Sequence, residues 1–289
     1  MPAATTHYEF AKDVYLNLPN DIVDQITNLH MFYLGSQGPD LFFFNKGGIS
    51  KSSLNTYGNM LHNQKISEVI KYLFEHSQDD LDLLSYTYGY LCHYALDSLA
   101  HPLVYYMSRY GIEKLESENI KHFRIEAMID REVLKSKDRD ITSYDVYRAL
   151  TVSKCDNVKL ANLYHNLFKD LFDVELSFNQ LQQTIKDCPF YLKLLKPSNL
   201  KFKLFSQIEK TIKIDHFASG LMLNNQLSED VLNLKNQPWY NIFAPEITSN
   251  KSFFELYDEA IVKAEKLISD PKNLKYQQST FDGKPFNID

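Results

Sequence analysis

Between residues 93 and 101 the chain reads His93-Tyr-Ala-Leu-Asp97-Ser-Leu-Ala-His101, with Pro102 next. A helix turns about 100° per residue, so side chains at i, i+4 and i+8 return to nearly one face. Two imidazoles and a carboxylate therefore share a stripe along one predicted helix. A second pair, His122-Phe-Arg-Ile-Glu126, repeats the i, i+4 spacing on the next helical segment. Histidine and carboxylate are zinc ligands, and catalytic zinc sites keep positions open for water and substrate. A single histidine is more often a capped or core residue. Two such stripes on neighbouring segments favour a metal site instead.

Helical periodicity dominates the rest of the chain. The pattern predicts helices over about Tyr8–Leu18, Asn20–Phe32, Lys65–His76 and Leu81–Met107, the last with a break near Pro102. Further helices are expected over Glu118–Leu134, Ser143–Leu150, Val158–Phe172, Ser177–Asp187, Leu200–Ile214 and Phe253–Ile268. Asp79 or Asp80 can cap the long central helix, and Thr142 or Ser143 the short one after it. Loops are expected from Gly35 through Asp40 and the aromatic run to Gly47-Gly48, and from Asn236 to Pro245. No alternating strand series stands out. The expected class is all-α: a single-domain multi-helix bundle over residues 1–289, whose last segment, 271–289, is a polar tail, extended or loosely docked. Asp270-Pro271 should end the last helix, because Pro271 has no backbone donor.

At 289 residues the chain can bury a substantial core. Its net charge of −6 provides no basic footprint for nucleic acid. Cys92, Cys155 and Cys188 are odd in number and widely spaced, which speaks against a disulfide framework or a Cys-rich zinc site. Met1 to Tyr15 has neither a basic n-region nor an apolar h-region, and the run Leu41-Phe42-Phe43-Phe44 is too short to span a membrane. A cytoplasmic protein is expected, or a secreted one if a leader was removed before this numbering begins.

Three more metal-type residues lie upstream. His7 sits in Thr6-His7-Tyr8, Asp40 follows Gly38-Pro39, and His62 ends Gly58-Asn-Met-Leu-His62. With His93, Asp97, His101, His122 and Glu126 they make five histidines and three carboxylates. Eight ligands exceed the needs of one zinc and suit a multinuclear site.

In this order and combination the motifs resemble the zinc-dependent phospholipase C family, which is related to the single-strand-specific P1/S1 nucleases. The likeness runs from His7 to Glu126, and more loosely through Trp239 to Ser252-Phe253-Phe254-Glu255-Leu256-Tyr257. It implies the all-α fold of that superfamily and two to three Zn2+ per chain. Asp40, His62, His93 and Asp97 would hold one zinc. Asp97 would bridge to a second, bound by His7 and the amino-terminal end. His101, His122 and Glu126 would hold the third. The secreted relatives begin with a Trp that binds metal, whereas this chain begins Met1-Pro2. The Asp97-to-His101 spacing is also shorter than in the best-known secreted branch.

The implied activity is hydrolysis of a phospholipid or small phosphodiester by metal-bound hydroxide, with Asp97 bridging and Asp40 able to assist as a base besides ligating. A P1/S1-like nuclease and a metal-stabilised binding protein without turnover are the alternatives. The acidic balance favours lipid over nucleic acid, and transient contact with a membrane surface would follow. Ser98 and Tyr94 are expected to support the ligand helix, and His30, His76, His165 and His216 to be ordinary capped or surface residues. Phe42, Phe43 and Phe44 are expected in the core, or else along a lipid or base pocket.

Overall fold

The computed structural model describes residues 4–48, 50, 53–111, 118–212 and 230–286. In chain order its helices are α1 (Ala4–Asn17), α2 (Asn20–Val23), α3 (Leu29–Gly35), α4 (Asn55–Asn63), α5 (Ile66–Glu75) and α6 (Leu81–Tyr106). They continue as α7 (Glu118–Ser136), α8 (Val146–Ala149), α9 (Lys154–Phe172), α10 (Phe178–Leu194), α11 (Asn199–Ile212) and α12 (Phe253–Ser269). Strands β1 (Trp239–Asn241) and β2 (Ala244–Ser249) form one antiparallel pair. The class is all-α, as the periodicity implied.

Every residue of α6 from Leu84 to Ser98 is buried. A helix that is apolar all round belongs in an interior, and α6 is the axis on which the others pack. Asp80 starts it, its side chain accepting from the N–H groups of Asp82 and Leu83 at 3.0 and 3.3 Å. On one side α3 meets α6 backbone to backbone: a Cβ on Gly89 would lie 1.9 Å from the Phe32 carbonyl oxygen. On another side lies α12, begun by a capping box in which Ser252 and Glu255 satisfy each other's backbone N–H. The start of α1 is pinned to α7, where Asp130 accepts from the N–H of Thr6 at 2.7 Å and of Thr5 at 3.3 Å.

Several local expectations change. Asn20–Phe32 is two helices, α2 and α3, with Asn28 as the cap of the second, its side chain accepting from Met31 N. The segment after it is a set of 3-10 turns, Gly38–Gly48, broken by non-helical backbone at Asn45, Lys46 and Gly47. Helix α4 had no sequence signal, because its residues are mostly polar and its apolar face is narrow. Thr142 and Ser143 cap no helix; they bond Asp140 in a turn, and α8 begins only at Val146. Pro102 neither ends nor breaks α6, which runs on to Tyr106 before a π turn over Met107–Gly111. Helix α10 likewise continues through Pro189 to Leu194. The expected loop from Asn236 carries the β1–β2 hairpin, anchored by buried Trp239, whose indole N–H donates to the Lys251 carbonyl at 2.9 Å. Asp215, His216 and the expected helix end at Ile214 lie outside the described residues. Among the described residues no helix is long and apolar enough to cross a membrane.

Within the described residues the tail packs onto the bundle at Phe281. Phe281 is fully buried, and its backbone N–H donates to the His62 carbonyl at 3.2 Å.

Candidate metal centre

Five elements deliver the metal-type side chains to one place. Helix α1 brings His7, the 3-10 turns bring Asp40, and α4 brings His62. Helix α6 brings His93, Asp97 and His101, and α7 brings His122 and Glu126. The Gly-Pro-Asp motif has a structural reason: Gly38 takes φ of +49°, and a Cβ there would lie 2.4 Å from the His93 ring.

Three groups result, two of which overlap. Ligand atoms of His7, Asp40 and His93 lie within 4.8 Å of one another, as do those of His62, His93 and Asp97, and those of His101, His122 and Glu126. The third grouping is the one expected. In the other two His93 is shared, and His7 stacks on its ring at 4.0 Å. Asp97 stands between sets: its Oδ1 is 3.1 Å from His7 Nε2, and its Oδ2 is 2.9 Å from His93 Nε2. All eight residues predicted as ligands are thus gathered together.

The electrostatics match a cation site. Burial opposes ionisation of Asp97, but the imidazoles of His101, His93 and His7 outweigh it and hold its carboxyl well below the ordinary range. Asp40 is lowered against its burial by neighbouring positive charge, including His62 and His93. Glu126 is lowered to about 2 against its burial, His122 and His101 contributing. Burial would depress His101, yet Asp97, Glu126 and Asp282 carry it up to about 10. Burial dominates at His93 and keeps it low.

Zinc fits this donor set. Zinc–nitrogen and zinc–oxygen bonds of about 2.0–2.1 Å in a tetrahedron place neighbouring ligand atoms about 3.3 Å apart. Here His62 Nε2 and Asp40 Oδ1 are 3.2 Å apart, His122 Nε2 and Glu126 Oε1 3.1 Å, and His101 Nε2 and Glu126 Oε1 3.3 Å. His93 Nε2 and Asp97 Oδ2 are 2.9 Å apart but out of hydrogen-bond alignment, and among the described residues neither has another hydrogen-bond partner. Two buried polar atoms side by side in that way are aimed at a third body. The opposite ring nitrogens are fixed: Nδ1 of His93 donates to the Ser36 carbonyl at 3.0 Å and that of His62 to the Gly58 carbonyl at 2.8 Å. Such backbone acceptors leave Nε2 as the ligating atom.

The groups open into a cleft of about 390 Å³, lined by Asp40, His62, His101 and His122. Phe43, Tyr105 and Phe123 give it aromatic walls, and Asn55, Asn59 and Asn63, at i, i+4 and i+8 on α4, give it an amide edge. Of the aromatic run, Phe42 and Phe44 are core and Phe43 faces the cleft. Sequence reading missed Tyr105, the three asparagines and Asp282, whose Oδ1 accepts from Tyr105 Oη at 3.0 Å. The Asp282-Gly283 pair is a turn signal, but nothing local ties it to His101.

Of the remaining histidines, His30, His76 and His165 each bring Nδ1 to a backbone carbonyl. Ser98 turns back onto the Tyr94 carbonyl.

Comparison with protein families gives a match described as zinc dependent phospholipase C over residues 6–178, more than half of the chain. The chain belongs to the zinc-dependent phospholipase C family. Neither the comparison with curated proteins nor that with solved structures found a match. With its three His/carboxylate groups, this phospholipase C relative is a zinc-dependent phosphodiester hydrolase that takes two to three Zn2+, and its family points to a phospholipid-type substrate. The matched residues contain all eight metal-type side chains and end well before Asp282.

Proposed function

We propose that the protein cleaves the phosphate–glycerol bond of a phospholipid, or a smaller phosphodiester of the same kind. In this reading Asp40, His62, His93 and Asp97 hold one zinc, Asp97 and His7 a second, and His101, His122 and Glu126 the third. The observation that carries it is the character of the cleft: among the described residues its lining holds no Lys or Arg, while Asp40 and Asp282 face it. An anionic phosphodiester would be repelled from such a cavity unless cations held by the three groups supply the positive charge. When bound, zinc supplies that charge together with an acidified water.

The chain's own residues do the rest. His93 and Asp97 are buried to 0% and 3% exposure, so solvent does not compete for their ligand atoms. Asp40, at the cleft floor beside His62, is placed to accept a proton from an attacking water. Phe43, Tyr105 and Phe123 give the cleft apolar lining, and the three asparagine amides are able to donate to and accept from head-group oxygens. A volume of about 390 Å³ suits a head group and phosphate, with the acyl chains left outside.

An aromatic platform borders the same opening. Tyr105, in the cleft, packs on Phe243 of the hairpin at 5.1 Å, and Tyr240 packs on Tyr106 and Tyr110 at 5.1 and 5.8 Å. Tyr110 and Phe243 are 53% and 40% exposed. Aromatic side chains of this kind sit well at a lipid–water interface, which supports substrate presented at a membrane surface.

The same rings could stack nucleobases, so nuclease activity is the competing reading. The test compares kcat/KM for short-chain phosphatidylcholine and for single-stranded DNA at matched ionic strength, with zinc present. Preference for the lipid is expected. Preference for DNA would move the protein to the nuclease branch. Failure to hydrolyse even a chromogenic phosphodiester would leave a metal-stabilised binding protein.

A further inference from the structure

The residues after α12 lie outside the matched family region, yet they enter the metal centre. Phe281 touches two ligand groups at once. Its N–H donates to the His62 carbonyl at 3.2 Å, and its carbonyl accepts from His101 Nδ1 at 3.2 Å. Its ring packs against those of His62 and His93, at 5.2 and 5.6 Å. The next residue, Asp282, places Oδ1 3.6 Å from His101 Nδ1, on the side of the ring away from Glu126.

We propose that the segment from Gln278 to Phe286 is a strap that positions His101 for metal binding, so that docking of the strap and occupancy of the His101–His122–Glu126 site are linked. His101 is 12% exposed at the cleft edge, and the Phe281 carbonyl is the hydrogen-bond acceptor that fixes which ring nitrogen faces Glu126. Second partners of this sort are worth about 10–100-fold in metal affinity. Linkage makes the effect reciprocal: whatever loosens the strap weakens the metal, and removal of the metal loosens the strap by the same factor.

The strap has its own device for seating. It folds back on itself, with Thr280 N–H donating to the Lys284 carbonyl and Phe286 N–H to the Gln278 carbonyl. Asn241 of the hairpin clamps the Gly283 carbonyl at 2.7 Å, and Tyr94 Oη donates to the Ser279 carbonyl at 2.8 Å. Gly283 has φ of +72°, and a Cβ there would lie 2.3 Å from Pro102 Cγ and 3.1 Å from the Ser98 carbonyl oxygen. That carbonyl is the one Pro102 cannot satisfy within α6, because proline has no N–H. The helix is thus flush with the strap where its own ladder is interrupted.

Gly283→Ala displaces the strap while leaving every proposed ligand in place. Zinc-loaded unaltered and variant proteins are titrated with a chromogenic chelator, with circular dichroism to confirm equal helix content. The expected result is that one zinc equivalent leaves Gly283→Ala about 10–100-fold more readily. Adding Pro102→Ala, which removes the ring atoms in the way, should recover part of that loss. Hydrogen exchange on the unaltered chain is the second measurement: chelation should raise exchange at the Phe281 amide more than at Ala260 or Ala264 in α12, and zinc should restore it. Equal zinc retention by the two proteins, or Phe281 exchange indifferent to zinc, overturns the inference. The inference rests on the ligand assignment above, and an unaltered protein that takes up no zinc would instead remove that assignment.

Discussion

Asp97 is where three imidazoles converge, with His7, His93 and His101 nitrogens 3.1, 2.9 and 3.6 Å from its oxygens. If it bridges two cations, Asp97→Asn removes a shared charge without removing volume. Turnover of a chromogenic phosphodiester should fall by roughly 100-fold or more, while circular dichroism stays unchanged. His30→Ala is the control, because His30 is exposed and meets the Ala149 carbonyl away from the metal-type residues. Equal activity of the two variants would mean that the cluster has been misassigned. Asp130 supports a pH prediction. Burial outweighs its hydrogen bonds to Thr6 and Thr5 and pushes it up to about 6 from 3.8. A carboxyl raised on folding binds its proton more tightly in the native state, so its stabilising effect is fullest below pH 4 and is lost as pH rises through 6. In chelated protein, the stability of wild type relative to Asp130→Asn should therefore decline between pH 4 and 6, by about 3 kcal/mol at most. Urea unfolding at a series of pH values measures it; a difference independent of pH would contradict the shift.

At the scale of elements, the metal centre depends on how closely α3 approaches α6. Gly35 and Gly89 let the two backbones touch: added Cβ atoms would lie 2.1 Å from the Tyr86 carbonyl oxygen and 1.9 Å from that of Phe32. Helix α3 leads directly into the turns that carry Asp40, so prying it away would move Asp40 from His93. Gly89→Ala should cost about 1–3 kcal/mol by overpacking and lower zinc content together with thermal stability. Loss of stability with full zinc retention would show that Asp40 is placed by the α4 and α10 contacts alone. From α10, Thr184 Oγ1 accepts from Asn45 at 2.9 Å and Asp187 from the Lys46 N–H at 2.8 Å; from α4, Asn55 donates to the Gly48 carbonyl at 2.8 Å.

For the whole molecule, the buried charge at the centre makes folding and metal binding one equilibrium. Six of the eight metal-type residues are buried, in a region where α1, α4, α6 and α7 meet. Protein isolated without chelator should carry two to three zinc ions, read by elemental analysis. Zinc at a free concentration 1,000 times its Kd adds about 4 kcal/mol, which for a chain of this size is a rise in Tm of roughly 7 °C per site. Chelation should remove that increment and zinc restore it. A melting curve indifferent to both would show that the cavity folds without a cation.

The sequence alone determined the helical class and, through the same periodicity, five of the eight metal-type residues; His7, Asp40 and His62 stood out only as members of the family's ordered motifs. Helical steps of four write His93, Asp97 and His101 on one face, and the same rule joins His122 to Glu126. Where periodicity was faint, local structure was illegible: polar α4 gave no signal although it carries His62, and the hairpin at Trp239 is too short to show alternation. Only the tertiary structure decided which groups share a cavity. Asp282 and Phe281 stand about 180 residues from His101 along the chain, and no local pattern encodes a contact across that distance. It arises because Pro102 and Gly283 leave room for a strap on α6, a fit between two surfaces that exists only once both are folded.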